Sequence, residues 1–146
     1  MYVSLDDFRA RLAAEEGAEV AWLRTRRGAA DRRDLAVVRA DVPRTHWHRM
    51  AAQSAAERAG HTDRLYRLIV DFLEIHPHTR YVQGFHALAE VALLLLGDDA
   101  PLLLHRMYRL GHVRHTLLAH RLRRLRCGYS PNTQPVAKRP RRSSGR

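Results

Sequence analysis

The sequence predicts an all-α fold for about one domain's worth of chain. Three observations predict it: apolar residues recur at helical spacing, capping residues and Pro or Gly punctuate these stripes, and no stretch alternates apolar with polar residues as a half-buried strand would. With 45% apolar and 28% charged residues among 146, the chain has the composition of a globular protein that buries a core.

The N-terminal part is predicted to hold one short helix and a loop. Ser4 and Asp7 have capping-box spacing ahead of an apolar stripe, which predicts a helix over residues 4–14. The Arg pairs and glycine of residues 25–34 predict a loop. A second apolar segment follows, and Pro43 must end or kink it.

The clearest helix lies in the middle of the chain. Thr62 is its predicted N-cap, and Pro77 stops it near Ile75. Its apolar stripe follows the i, i+3, i+4, i+7, i+8 pattern and consists of Leu65, Leu68, Ile69, Phe72 and Leu73.

Two further helices are predicted after it. Tyr81–Leu96 is apolar on nearly all sides, which is typical of a buried central helix, and Gly97 closes it. The Asp-Asp-Ala-Pro string that follows is a helix start, and residues 113–125 have the pattern of one more helix.

The net charge of +11 belongs to the end of the chain. Residues 1–99 hold 14 Arg against 15 acidic residues, whereas residues 100–146 hold 12 basic residues and no acidic one. From Gly128 on, Pro, Ser, Asn and Arg accumulate without apolar periodicity, which predicts a disordered tail. The basic run Lys138–Arg142 fits a nuclear-localisation signal, RNA or an anionic membrane surface alike. Nucleic acid is not the expected partner, because no aromatic residue after Tyr129 could stack on bases.

Composition and spacing argue against several other chemistries. A single cysteine, Cys127, cannot form an internal disulfide or a thiolate zinc site, which predicts a reduced, cytoplasmic setting. The longest apolar stretch, Ala87–Leu96, is shorter than the ~20 residues of a transmembrane helix, and no signal peptide is expected. No GxxxxGK[ST] loop is present, so the chain is not expected to bind nucleotide itself.

Ten histidines raise the question of a metal. They form close pairs, but no HExxH motif or cysteine pair supports them, so no metal and no cofactor are expected and the histidines are predicted at surfaces or helix ends. The pairs are His46 and His48, His76 and His78, and His112 and His115.

Two short strings carry the strongest functional signal. They are VRADVPRT at residues 38–45 and YVQGF at residues 81–85. They resemble the paired signatures of the TBC family of Rab GTPase-activating domains, IxxDxxR followed by YxQ, in the same order and with a helix between them. The wider string over residues 71–96 is most similar to the branch of that family that works between endoplasmic reticulum and Golgi.

The resemblance implies an activator of GTP hydrolysis rather than an enzyme with a substrate of its own. Its partner would be a Rab-family GTPase in the GTP-bound form, and its role would lie in vesicle traffic, at the cytoplasmic face of ER or Golgi membranes. In this family the first motif supplies an arginine finger, here Arg44, and the second supplies a glutamine, here Gln83, that positions the attacking water. Asp41 would support the Arg44 loop, and Tyr81 and Gly84 would shape the turn that presents Gln83.

The resemblance covers about residues 35–118 and implies three segments. An N-terminal helix and Arg-rich loop occupy residues 1–34, a partial TBC domain residues 35–126, and a disordered basic tail residues 127–146. The family domain is longer, so we expect a domain truncated after its N-terminal half, with apolar surface exposed on the helix over residues 87–96.

Three positions depart from the family pattern without removing either finger. Val38 stands where the family usually has Ile, Phe85 replaces the common Met, and Ala87 occupies a position that is often Asp. Two alternatives remain open: a catalytically inactive Rab-binding or interaction module, and a basic nuclear or nucleic-acid-binding protein.

Overall fold

A computed structural model describes residues 3–45 and 53–113 of the chain. This part is all-α, as predicted, without a strand among the described residues. The predicted tail and, apart from Val113, the predicted helix over residues 113–125 lie outside the described residues. The five helices of the described part are α1 (Leu5–Thr25), α2 (Arg32–Asp41), α3 (Ala55–Ile75), α4 (Phe85–Leu96) and α5 (Ala100–Arg109). A 3-10 turn, Val42–Arg44, follows α2, and another, Gly97–Asp99, joins α4 to α5.

Helix α1 is longer than predicted. Ser4 caps it as expected, because its Oγ accepts the backbone N–H of Asp7 at 3.0 Å. The helix then continues to Thr25 instead of ending at residue 14. Its buried face repeats every four residues, but the middle position of that face is acidic, which interrupts the apolar stripe in the sequence. The three buried residues are Leu12, Glu16 and Val20.

Helix α3 begins earlier than predicted. Its N-cap is Ser54 rather than Thr62, and a complete capping box forms with Glu57: the Ser54 hydroxyl accepts the Glu57 N–H, and the Glu57 carboxylate accepts the Ser54 N–H. Thr62 is therefore an interior residue of the helix. The predicted end is confirmed, since α3 stops at Ile75.

Helix α4 differs from its prediction in two ways. It begins at Phe85 rather than Tyr81, because residues 81–84 form an extended segment and a turn. It is also buried on one side only, which corrects the expectation of a central helix buried all round. Apolar surface is exposed on this helix, as expected from the resemblance, at Val91, Leu94 and Leu95.

The core forms around the apolar face of α3. Helices α1, α2, α4 and α5 all contact α3, and α1 packs mainly against α5. Each fully buried Leu or Ile of this core contributes roughly 1.5–3 kcal/mol relative to an exposed one. Tyr81 belongs to the same core, so packing fixes the second motif close to α2. The predicted α3 stripe is confirmed in full, with Leu65, Leu68, Ile69, Phe72 and Leu73 buried.

Candidate functional site

One face of α2 carries two buried carboxylates. Asp34, Val38 and Asp41 are four and three residues apart, so they line one side of the helix, and all three are buried. Both carboxylates reach Tyr81. The Tyr81 backbone N–H donates to Asp34 Oδ2 at 3.1 Å, and its hydroxyl donates to Asp41 Oδ2 at 3.0 Å. Tyr81 is therefore tied to α2 at its backbone and at the tip of its ring.

Arg80 strengthens the same attachment. Its guanidinium lies against Asp34, with Nε 3.0 Å from Oδ2, and also pairs with Asp31, the N-cap of α2. The Arg33 backbone N–H, with help from the Arg80 guanidinium, holds the pKa of Asp31 below its usual value, so this carboxylate stays charged. The chain leading into the second motif is thus held along the N-terminal half of α2.

Asp41 joins the two motifs directly. Its Oδ1 accepts from Arg44 Nη2 at 2.6 Å, while its Oδ2 accepts from the Tyr81 hydroxyl. The Arg44 Nε also donates to the Ala40 carbonyl at 2.9 Å, which fixes the plane of the guanidinium. One buried carboxylate therefore orients both the arginine of the first motif and the tyrosine of the second.

Arg44 is held in place and still accessible. Its side chain is 69% exposed, whereas that of Asp41 is 6% exposed. A guanidinium has five N–H donors, and those on Nη1 have no partner among the described residues. Nε and Nη2 hold the arginine in place, and Nη1 remains available. The arrangement therefore presents an oriented cation to an anionic ligand.

Tyr81 stays protonated at physiological pH. Burial, reinforced by the adjacent Asp41 carboxylate, raises the pKa of its hydroxyl well above the usual value. His86 Nδ1 lies 2.6 Å from the same hydroxyl oxygen. Because the single hydroxyl proton goes to Asp41, His86 carries its own proton on Nδ1 and donates it to Tyr81. His86 thus supports Asp41 through Tyr81.

Gln83 lies on an exposed turn. Its side chain has no hydrogen-bond partner among the described residues and no hydrogen bond to Arg44 there. The turn ends at Gly84, whose φ of 99° lies in the left-handed region, where a Cβ is disfavoured. A Cβ at Gly84 would meet nothing within 4 Å, so backbone conformation alone explains the glycine.

The structure therefore brings Arg44 and Tyr81 into contact with Asp41 and leaves Gln83 on the adjoining turn. Asp34 and His86 complete the arrangement and were not expected from the sequence. The seven-residue spacing of Asp34 and Asp41 places two acids on one helical face and is a signal that could have indicated the first of them.

Of the three histidine pairs, only the pair of His76 and His78 lies wholly among the described residues, and its two members are placed differently. His76 is buried at the C-terminal end of α3, while His78 is exposed. His76 instead lies against His105 of α5, with Nε2 and Nδ1 3.3 Å apart. Burial, followed by the neighbouring His105, lowers the pKa of His76 to about 4, so His76 is neutral at physiological pH. Three other members of the pairs, His46, His48 and His115, lie outside the described residues.

Comparison of the chain with protein-family models, with curated proteins and with solved structures returned no match. Within the described residues, no helix combines the length and the apolar character that crossing a membrane requires. The resemblance to Rab GTPase-activating domains therefore rests on the sequence of the two motifs alone.

Proposed function

We propose that this chain is a GTPase-activating protein for a Rab-family GTPase, to which it supplies Arg44 and Gln83 in trans. The observation that carries the proposal is the double use of the Asp41 carboxylate. One oxygen holds Arg44 and the other holds Tyr81, two residues before Gln83. The two motifs thus share one anchor, which supports a mechanism in which both residues act together.

Arg44 would stabilise the charge that develops on the phosphate oxygens as GTP is hydrolysed. Such an arginine in trans accelerates hydrolysis by ~10³–10⁵ in GTPase-activating proteins generally. On the barrier scale that is roughly 4–7 kcal/mol. The bonds from Arg44 to Asp41 and to the Ala40 carbonyl support this role, because a donor that is already oriented needs no reorganisation during the reaction.

Gln83 would position the attacking water. A carboxamide can accept a hydrogen bond from water and donate one toward phosphate at the same time. The exposed turn leaves this amide accessible, and the bonds from Tyr81 to Asp34 and Asp41 fix the start of the turn. Gly84 allows the chain to enter α4 directly after Gln83.

The proposed partner is a GTP-bound Rab, which brings the nucleotide. We place the protein in the cytoplasm, peripherally on ER or Golgi membranes, with a role in vesicle traffic. The basic run Lys138–Arg142 is compatible with a nuclear location as the alternative.

The test is a single-turnover assay of phosphate release from a panel of GTP-loaded Rab proteins, with the full chain added in trans. Arg44→Ala and Gln83→Ala should each abolish most of the acceleration. Arg67→Ala is the matched control for arginine, because Arg67 is 76% exposed and bonded to Asp63 at 2.7 Å, much as Arg44 is bonded to Asp41. Gln53→Ala is the control for glutamine, since Gln53 is also exposed. Both controls should stimulate like the wild type.

Each other outcome has a definite meaning. Undiminished stimulation by Arg44→Ala and Gln83→Ala would overturn the assignment of the two residues. Binding of GTP-loaded Rab without acceleration would identify an inactive binding module instead. Salt-sensitive binding of RNA or DNA that disappears on deletion of residues 128–146, with no Rab binding, would identify a nucleic-acid-binding protein.

A further inference from the structure

Two buried polar atoms at the contact of α1 with α5 have no hydrogen-bond partner in the described part of the chain. They are Oε2 of Glu16 and Nε2 of His105. The two residues are 0% and 2% exposed, so both are buried inside the fold. Since buried polar atoms are nearly always bonded, two unbonded ones that face each other require an explanation.

These two atoms share a small space with a third possible ligand atom, Oε2 of Glu19. His105 Nε2 lies 3.6 Å from Glu16 Oε2 and 3.4 Å from Glu19 Oε2. All three ligand atoms lie within 4.8 Å of one another. An imidazolium bonded to these carboxylates would approach to about 2.7–2.9 Å, which is closer than either distance.

The separations match a metal site instead. Zinc binds imidazole nitrogen and carboxylate oxygen at about 2.0–2.2 Å, so the edges of its coordination tetrahedron measure about 3.4 Å. Both distances from His105 Nε2 are near that value. One imidazole and two carboxylates suit zinc better than calcium or magnesium, which prefer six or more oxygen ligands.

Neighbouring residues hold the ligands in orientation. His105 Nδ1 lies 3.3 Å from His76 Nε2, so the other ring nitrogen of His105 is engaged and Nε2 is the one left for a metal. Arg109 Nη2 donates to Glu16 Oε1 at 2.7 Å, which leaves Glu16 Oε2 free to bind. Such outer contacts are typical of metal sites in proteins.

Charge and access also fit. Arg109 pairs with Glu16 and Arg106 pairs with Glu15, whereas no arginine of the described residues lies within salt-bridge distance of Glu19. The Glu19 side chain is 47% exposed, which opens the site to solvent on one side.

We propose that Glu16, Glu19 and His105 form a zinc site that ties α1 to α5. Three protein ligands leave a fourth position, which water can fill. The site would hold the N-terminal helix against the rest of the fold. It involves neither Arg44 nor Gln83, so it stands or falls independently of GTPase activation.

The test uses the metal-stripped full chain and zinc alone, measured by isothermal titration calorimetry. We expect one tight zinc ion per chain and a rise in Tm on zinc addition. Glu19→Gln should weaken zinc binding at least about tenfold, since loss even of an outer contact costs that much, and should abolish the rise in Tm. Glu19 is half-exposed, so this variant is expected to fold, which circular dichroism will verify.

Glu15→Gln is the matched control. Glu15 lies on the same helix and is 42% exposed, close to the value for Glu19, but it is not one of the three proposed ligands. It should bind zinc like the wild type. Equal zinc affinity in the wild type and Glu19→Gln, or no zinc binding at all, would overturn the proposal.

Zinc K-edge X-ray absorption separates this site from others in a chain with ten histidines and one cysteine. The proposal requires nitrogen and oxygen ligands at about 2.0–2.2 Å with a single imidazole. A sulfur ligand at about 2.3 Å, or two or more imidazoles, would place the ion elsewhere and contradict it.

Discussion

Asp41 and Glu16 are both buried acids on the inner face of a helix, but their oxygens are used differently. Each oxygen of Asp41 accepts a hydrogen bond, one from Arg44 and one from Tyr81. Glu16 accepts one from Arg109, and its second oxygen accepts none in the described chain. A carboxylate with a donor on each oxygen orients two neighbours, whereas one with a donor on a single oxygen has its other oxygen available for a cation.

The two regions therefore favour opposite ligands. Around Asp41 the exposed group is a cation, Arg44, which suits an anion such as phosphate. Around Glu16 the unused atoms are a carboxylate oxygen and an imidazole nitrogen, which suit a metal ion. Three predictions probe this contrast.

The largest expected effect is acid sensitivity at His76, where the end of α3 packs against α5 beside the Glu16 region. His76 packs against His105 and Tyr108, and its pKa is lowered from 6.5 to about 4. Between pH 6.5 and pH 4, His76 is protonated in the unfolded chain but neutral in the folded chain. Its burial therefore costs no stability above pH 6.5, and the free energy of unfolding decreases as pH falls toward 4. At 1.36 kcal/mol per pKa unit, the loss amounts to about 3 kcal/mol.

Urea denaturation from pH 7 to pH 4, with zinc chelated, measures this loss. His76→Gln should flatten the curve, while His78→Gln, at an exposed histidine two residues away, should keep the wild-type slope. An unchanged slope in His76→Gln would place the acid sensitivity elsewhere.

A smaller effect is expected from removing each carboxylate. Asp41→Ala leaves the buried Tyr81 hydroxyl without its acceptor, at a cost of about 2 kcal/mol. Glu16→Gln should cost less in metal-free protein, because the half-exposed Arg109 can turn to water. Chemical denaturation in EDTA compares the two, and an equal or larger loss for Glu16→Gln would remove the contrast.

The smallest effect is an alkaline dependence at Asp41. Because the pKa of Tyr81 is raised in the folded chain, its contribution to stability is fully present below pH 10 and is lost as pH rises further. Between pH 10 and pH 11, urea denaturation should show a loss of up to about 1.4 kcal/mol. Tyr81→Phe keeps the ring and removes this dependence. Tyr66, a partly buried tyrosine of α3 bonded to Arg39, provides the control variant Tyr66→Phe, which should retain it.

Structural elements that are determined by residues close together in the sequence were predicted correctly. The α3 stripe and its end at Ile75 were predicted correctly, because apolar periodicity and Pro77 lie within a few residues of what they determine. Helix α1 was predicted too short because an acid at position 16 interrupts its stripe. Its burial depends on Arg109, far away in the sequence, and no local pattern contains that information.

The same distinction applies to the sites. Asp41, Arg44 and Tyr81 were predicted from motif resemblance, and the structure adds the hydrogen bonds that connect them. The cluster of Glu16, Glu19 and His105 could not be predicted, because an acid pair in a helix is common and only folding brings the histidine beside it.

The double attachment of Tyr81 has a consequence for association with any partner. Arg44 and the turn carrying Gln83 are both anchored to α2, so they form one mechanical unit rather than two separate loops. A partner that contacts both would restrict the motion of a single body. The conformational entropy lost on binding is then smaller than for two independently moving segments, and dissociation would release both residues together.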